Sequence, residues 1–231
     1  MSGSVLITGG NRGIGLEFVR QYALDGWRVY ATCRRPAEAE DLRLLVRNHE
    51  RISLHRLDIT IREDIKAISW ELEDRPLDLL INNAGVYLEK NDVTLGGIRY
   101  DDWLRTFEVN TLGAVRITET FTDNLAADGG GLVAVLSSHM GSIADIQSPG
   151  SYYYRSSKAA LNAAMEGVSV ALREIGVGVQ ILHPGGVATR MGPGGGISTE
   201  ESVRGMRRIL QEFTMKQSGS FLRYDETELP W

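Results

Sequence analysis

The stretch Ser4-Val5-Leu6-Ile7-Thr8-Gly9-Gly10-Asn11-Arg12-Gly13-Ile14-Gly15 constrains the fold of this chain more than any other. Residues suited to a buried strand run straight into a glycine-rich turn, and an amphipathic stretch from Ile14 to Asp25 follows with no linker. A helix entered through so short a turn must pack back on the strand, which is the first half of a strand-helix-strand unit. The alternation then repeats. Short apolar runs at Val5 to Thr8, Arg28 to Cys33, Ile52 to Leu57, Leu77 to Asn82, Leu132 to Ser137, Val177 to Leu182 and Ser220 to Leu222 read as strands. Val, Ile and Leu dominate them, as in strands covered on both faces of a parallel sheet. Helical patterns lie around Ala37 to Arg47, Glu63 to Glu73, Tyr100 to Ala126, Tyr152 to Ile175 and Thr199 to Met215, and Gly26 and Gly176 are placed to stop two helices.

The expected fold is therefore α/β: one doubly wound, Rossmann-type domain over residues 1–231, with a seven-stranded parallel sheet flanked by helices. A chain of 231 residues that is 42% hydrophobic can bury one substantial core. No apolar run approaches the roughly 20 residues of a membrane span. A strand that begins at Ser4 leaves no room for an export signal, and the single Cys33 permits no internal disulfide, so a cytoplasmic protein is expected. A net charge of -5 argues against a nucleic-acid partner. The glycine-rich segment Met191 to Ile197 is expected to be a mobile part of a substrate loop at about 186–199.

A strand-turn-helix of this kind points backbone N–H groups and the positive end of a helix dipole at whatever occupies the turn, which suits the pyrophosphate of a dinucleotide. Side chains at Gly9 or Gly13 would hold phosphates away, Gly15 lets helix and strand pack closely, and Asn11, Arg12 and Ile14 complete the loop. A tight turn without ligand is the alternative. The cofactor type depends on the end of the second strand, Ala31-Thr32-Cys33-Arg34-Arg35, which offers no acid for a free ribose hydroxyl. Arg34, with Arg35 or Arg12, is placed to clamp a 2'-phosphate, so NADP(H) is expected over NAD(H), unless these arginines are merely solvated.

Tyr154 and Lys158 stand four residues apart and share one helix face. The ammonium is expected to lower the phenol from its ordinary pKa of about 10. Tyr154 could then donate a proton to a carbonyl oxygen as hydride leaves a nicotinamide, with Lys158 also holding the nicotinamide ribose. An ordinary exposed pair is the alternative.

With Asn82-Asn83-Ala84-Gly85 after the fourth strand, Asn110 in the next helix and Pro184-Gly185 after the sixth, the whole chain resembles the short-chain dehydrogenase/reductase family. Arg12 disfavours the extended branch, which has a glycine there and a longer C-terminal domain. Tyr152-Tyr153-Tyr154-Arg155 and the closing Tyr224 to Trp231 look like the carbonyl reductases related to Sniffer and the C-factor group. The resemblance implies Ser138 as second donor to the carbonyl oxygen, with Ser137 and Ser142 as alternatives. Many members carry this serine thirteen residues before the tyrosine, where Gly141 stands here, while Ser138 is sixteen before it. It also implies that Asn110 holds a water relaying protons to Lys158, and that helices carrying Asn110 and Tyr154 pair in a homodimer.

The strand ends supply further cofactor positions: Asp58 and Ile59 at the adenine, Asn83, Ala84 and Gly85 along the ribose, and Pro184, Gly185, Val187 and Thr189 at the nicotinamide half. Asp58 could instead cap a helix. His139, Met140, Tyr152, Gly186 and Met191 are expected around the substrate. That set has no fixed positive charge, so an uncharged small or medium ketone, aldehyde or quinone is favoured. The expected function is NADPH-dependent carbonyl reduction with no metal. An NAD(P)-dependent alcohol dehydrogenase working oxidatively and a cofactor-sensing signalling protein of C-factor type are the alternatives.

Overall fold

The computed structural model describes residues 3–89, 93–191 and 195–231. Strands β1 (Ser4–Ile7), β2 (Arg28–Cys33), β3 (Ile52–Arg56), β4 (Leu79–Asn82), β5 (Leu132–Leu136), β6 (Gly178–His183) and β7 (Phe221–Arg223) form one sheet in the order β3-β2-β1-β4-β5-β6-β7. Every pairing is parallel. This is the expected Rossmann-like topology, and the strand bounds fall within two residues of the sequence reading.

Helices α1 (Gly13–Leu24), α2 (Glu40–Asn48), α3 (Arg62–Glu71), α4 (Tyr100–Phe107), α5 (Ala114–Thr120), α6 (Thr122–Ala126), α7 (Tyr152–Arg173) and α8 (Thr199–Gln211) cover both faces. Alternate strand residues serve opposite layers, as the pleat requires. Leu6, Leu80, Val133, Val179 and Ile181 pack with Ile68, Ile117, Phe121, Leu161 and Met165 of α3, α5 and α7 and the turn after α5. Val5, Ile7, Val29, Ile81 and Leu182 pack with Phe18, Val19, Leu42, Val203 and Met206 of α1, α2 and α8.

The helix expected over Tyr100 to Ala126 is not continuous. Glu108–Gly113 forms a π-helical turn between α4 and α5, and α6 starts anew at Thr122. Tertiary contacts account for the first break: the Asn110 side chain is drawn to the backbone of Val86, and a Cβ at Gly113 would stand 2.5 Å from Ile59 Cδ1. Farther on, Thr118 and Thr122 hydroxyls donate to carbonyls one turn back, a habit that bends helices. Ala37 to Arg47 also divides, into a 3-10 turn at Pro36–Glu38 and α2. Gly26 and Gly176 take the left-handed conformation expected of helix stops, with φ of 76° and 77°.

The strand order reverses between β1 and β4, and a crevice opens outside their C-terminal ends, where open α/β sheets take ligands. The two loops there are tied together. Thr8 Oγ1 accepts from the N–H groups of Asn83 and Ala84 at 3.0 and 3.1 Å, and Asn83 Nδ2 donates to Thr8 O at 2.8 Å. No helix among the described residues is long and apolar enough to cross a membrane.

Candidate active site

A single cavity of about 760 Å³ runs along this crevice, and it brings together residues that the sequence scatters over most of the chain. Gly9, Asn11, Arg12, Gly13 and Ile14 line it where β1 meets α1. Gly9 and Gly13 have φ of 68° and 53°, a conformation that side chains disfavour. No side chain caps α1, and its first turn carries no acid, so the helix presents an uncompensated positive end. Gly15 serves packing instead, since a Cβ there would stand 2.3 Å from Gly9 O.

Arg12, Arg34, Asp58 and Ile59 line the cavity, together with Asn83, Ala84 and Gly85. Arg35 does not line it; its guanidinium turns to Glu38 at 3.1 Å, because the 3-10 turn after β2 brings that acid alongside. Asp58 Oδ1 accepts from the N–H and hydroxyl of Thr60 at 3.0 and 2.7 Å. Burial pushes the Asp58 carboxyl up, but the Thr60 bonds and the charges of Arg105 and Arg34 outweigh it and hold the group below the usual range. Asp41 and Arg105 also line the cavity and escaped the sequence reading, as did Val86, Leu88 and Arg190. None sits in a recognisable motif. Only the apolar Val86 to Leu88 run directly after Gly85 carried any signal.

At the other end stand Tyr154 and Lys158. Ser138, just past β5, is extended and accepts from Met140 N at 3.1 Å, and its hydroxyl stands on the side of the Tyr154 phenol, whose pKa it pulls down. Of the three serines Ser137 lines the cavity, and the hydroxyls of both Ser137 and Ser142 are already bonded. Ser137 Oγ donates to Asn162 Oδ1 at 2.5 Å and Ser142 Oγ to Trp231 O at 3.3 Å. Lys158, 5% exposed, donates from Nζ to Leu136 O at 2.6 Å and lies 5.8 Å from the Tyr154 ring centre.

This geometry corrects the expected titration. Burial pushes the Tyr154 phenol up to about 12, with the Ser138 hydroxyl pulling down and Tyr87 pushing further up. Burial likewise brings Lys158 down to about 8. The ammonium is bonded to a main-chain carbonyl, and in a water-poor setting both charged forms are disfavoured. Tyr154 is thus protonated at neutral pH and suited to give a proton.

Asn110 lies in the π-helical turn with its side chain fully committed. Oδ1 accepts from Val86 N at 2.8 Å, and Nδ2 donates to Val86 O at 2.9 Å and Ser157 Oγ at 3.1 Å. Its side chain therefore ties the loop after β4 to α7. Pro184, Thr189 and Met191 line the cavity, whereas Gly185 packs on the Tyr224 ring and Val187 is buried in a bridge to Ile197. Gly186 O accepts from Ile197 N at 3.0 Å and so closes the base of the loop. Of the expected mobile loop, residues 192–194 lie outside the described residues.

Met140 and Tyr152 are not in this cavity. They line a separate groove of about 430 Å³ with Trp103, Ile143 and Ile146, because the turn after Ser138 carries Met140 away from the crevice. His139 is half exposed and bonds Asp145 Oδ2 through Nε2 at 2.7 Å.

The cradle fits a nicotinamide dinucleotide: its volume lies in the range of roughly 300–1,000 Å³ usual for cofactor clefts, and a helix N-terminus separates a cationic end from a proton donor. Comparison with known proteins agrees with this geometry. The short chain dehydrogenase family model matches residues 4–194. C-signal of Myxococcus xanthus is 43% identical over 168 residues, 72% of this chain and 100% of that protein. An NADPH-bound carbonyl reductase from chicken fatty liver superposes with a TM-score of 0.92 at 32% identity, over 100% of this chain and 94% of that one. The carbonyl reductase Sniffer of D. melanogaster superposes with a TM-score of 0.91 at 30% identity, over 100% of both chains.

Proposed function

The chain belongs to the short-chain dehydrogenase family and is an oxidoreductase, and from that premise we propose that it reduces a small or medium ketone, aldehyde or quinone with NADPH. The observation that carries this reading is the single cavity joining the uncapped end of α1 and Arg34 to Tyr154 and Lys158. The backbone from Gly9 to Ile14 would hold the pyrophosphate, Arg12 and Arg34 the 2'-phosphate, and Asp58 and Ile59 the adenine. When bound, NADPH supplies hydride to the carbonyl carbon. Ser138 holds the carbonyl oxygen, and Tyr154 gives it a proton. Lys158, bonded to Leu136 O, keeps positive charge near the phenolate as it forms.

A cytoplasmic setting suits the free, buried Cys33. Tyr100 and Leu104, large and exposed on α4, support a homodimer through α4 and α7. NADPH oxidation by a panel of ketones, aldehydes and quinones tests the activity, and Arg34→Ala tests the cofactor. That variant should lose about 10- to 100-fold in kcat/KM with NADPH and little with NADH, because a bound phosphate loses one charge-assisted contact. Equal losses with both cofactors would remove Arg34 from the choice.

The similarity to C-signal favours one second reading, a signalling protein that senses the cofactor. NADPH binding without turnover on any carbonyl or alcohol would select it.

A further inference from the structure

Beyond the groups assigned above, one buried acid touches the catalytic helix. Glu89, in the segment that follows β4, is 4% exposed, and its Oε2 accepts from the backbone N–H of Tyr154 at 3.0 Å. Its Oε1 is buried and has no hydrogen-bond partner among the described residues. Burying a carboxylate is costly, so such a group persists where something is gained from its position.

The start of α7 shows what is gained. The first N–H groups of a helix have no partner within it, and a side chain at the N-cap ordinarily supplies one. Ser151 holds that position here but does not cap. It sits in the left-handed region at φ 53°, and its hydroxyl bonds the Tyr87 hydroxyl at 2.8 Å instead. The acceptor comes from outside the helix, from Glu89, and its negative charge faces the positive end of the dipole. Tyr87 adds a second hold, with its ring edge-on to that of Tyr154 at 5.0 Å between centres. The N–H that Glu89 takes belongs to the same residue as the phenol.

We propose that Glu89 is a positioning residue: it caps α7 from the β4–α4 segment and thereby holds the Tyr154 phenol at Ser138. This rests on Tyr154 being the proton donor. A displacement of even an ångström at a reacting group can cost on the order of 100-fold in rate, so loss of the cap should act on turnover more than on binding.

The test compares Glu89→Gln, which keeps an acceptor, with Glu89→Met, which keeps the volume without one. Glu89→Met should lower kcat by about 10- to 100-fold with NADPH affinity, read by fluorescence titration, changed less than about threefold, while Glu89→Gln keeps most of kcat. In a Tyr154→Phe background, Glu89→Met should cause no further loss, since a residue acting through the phenol has nothing left to position. Wild-type turnover by Glu89→Met, equal losses in the Met and Gln variants, or a full additional loss in the double variant would each overturn the proposal. If Glu89→Met does not fold, Glu89→Gln decides alone: a loss as deep as that of Tyr154→Phe overturns it, and retained turnover supports it. A fully active Tyr154→Phe would instead remove the donor reading, and the proposal with it.

Discussion

At the residue scale the site depends on an unfavourable burial. Lys158 is held near about 8 in the fold against 10.5 for the free side chain. Between those values the unfolded chain binds the proton and the folded chain has released it, so this residue makes stability rise with pH across that window. Below it, the buried ammonium is a cost. Lys158→Met should therefore raise stability at pH 7, on the order of 3 kcal/mol, flatten the rise between pH 8 and 10.5, and abolish turnover. Chemical denaturation across pH would check it, and a variant less stable than wild type at pH 7 would show that the bond to Leu136 O outweighs the burial. Tyr154 runs the other way, since a phenol raised to about 12 loses its contribution as pH climbs from 10 toward 12. At this scale the sequence was legible where a motif carried the residue. The spacing of Tyr154 and Lys158 put them on one face, but it could not reveal that burial governs both. Arg35 failed for a local reason, the nearby Glu38, and Asp41 and Arg105 were silent because only the folded crevice brings them in.

At the scale of elements, the same turn holds two kinds of glycine. A Cβ at Gly13 would meet only Thr189 atoms at 3.5 Å or beyond, whereas one at Gly15 would collide with Gly9 O and Asn83 Nδ2. Gly13→Ala should weaken NADPH binding by more than tenfold with a stability cost of about 1 to 2 kcal/mol from its positive φ. Gly15→Ala should cost about 3 kcal/mol or more, because the overlap is with backbone. Thermal melts with and without NADPH separate the two, and similar melts for both variants would contradict this division. The strands were legible because each is short, apolar and punctuated. The break within Tyr100 to Ala126 was not, since Asn110 reaching Val86 and Gly113 meeting Ile59 are contacts between segments far apart in sequence. Met140 and Tyr152 were misplaced for the same reason: a 3-10 turn after Ser138 points the first away from the crevice and into a groove shared with the second.

For the whole molecule, the parallel sheet supplies one crevice, and the order of strands decides that β1, β4, β5 and β6 all deliver their following loops to it. Tyr100 and Leu104 of α4 are exposed and do not line the crevice. A homodimer through α4 and α7 predicts twice the chain mass by light scattering at micromolar concentration, and a monomer for Leu104→Glu with the fold retained. A monomeric wild type would contradict it. The claim on which the functional reading turns is narrower: the phenol of Tyr154 gives the proton. The most direct measurement is single-turnover oxidation of NADPH by the best carbonyl of the panel, wild type beside Tyr154→Phe, at equal cofactor saturation. A proton-donating Tyr154 predicts a rate lower by about 10² to 10⁴ with NADPH affinity unchanged. A variant that turns over at the wild-type rate would contradict it.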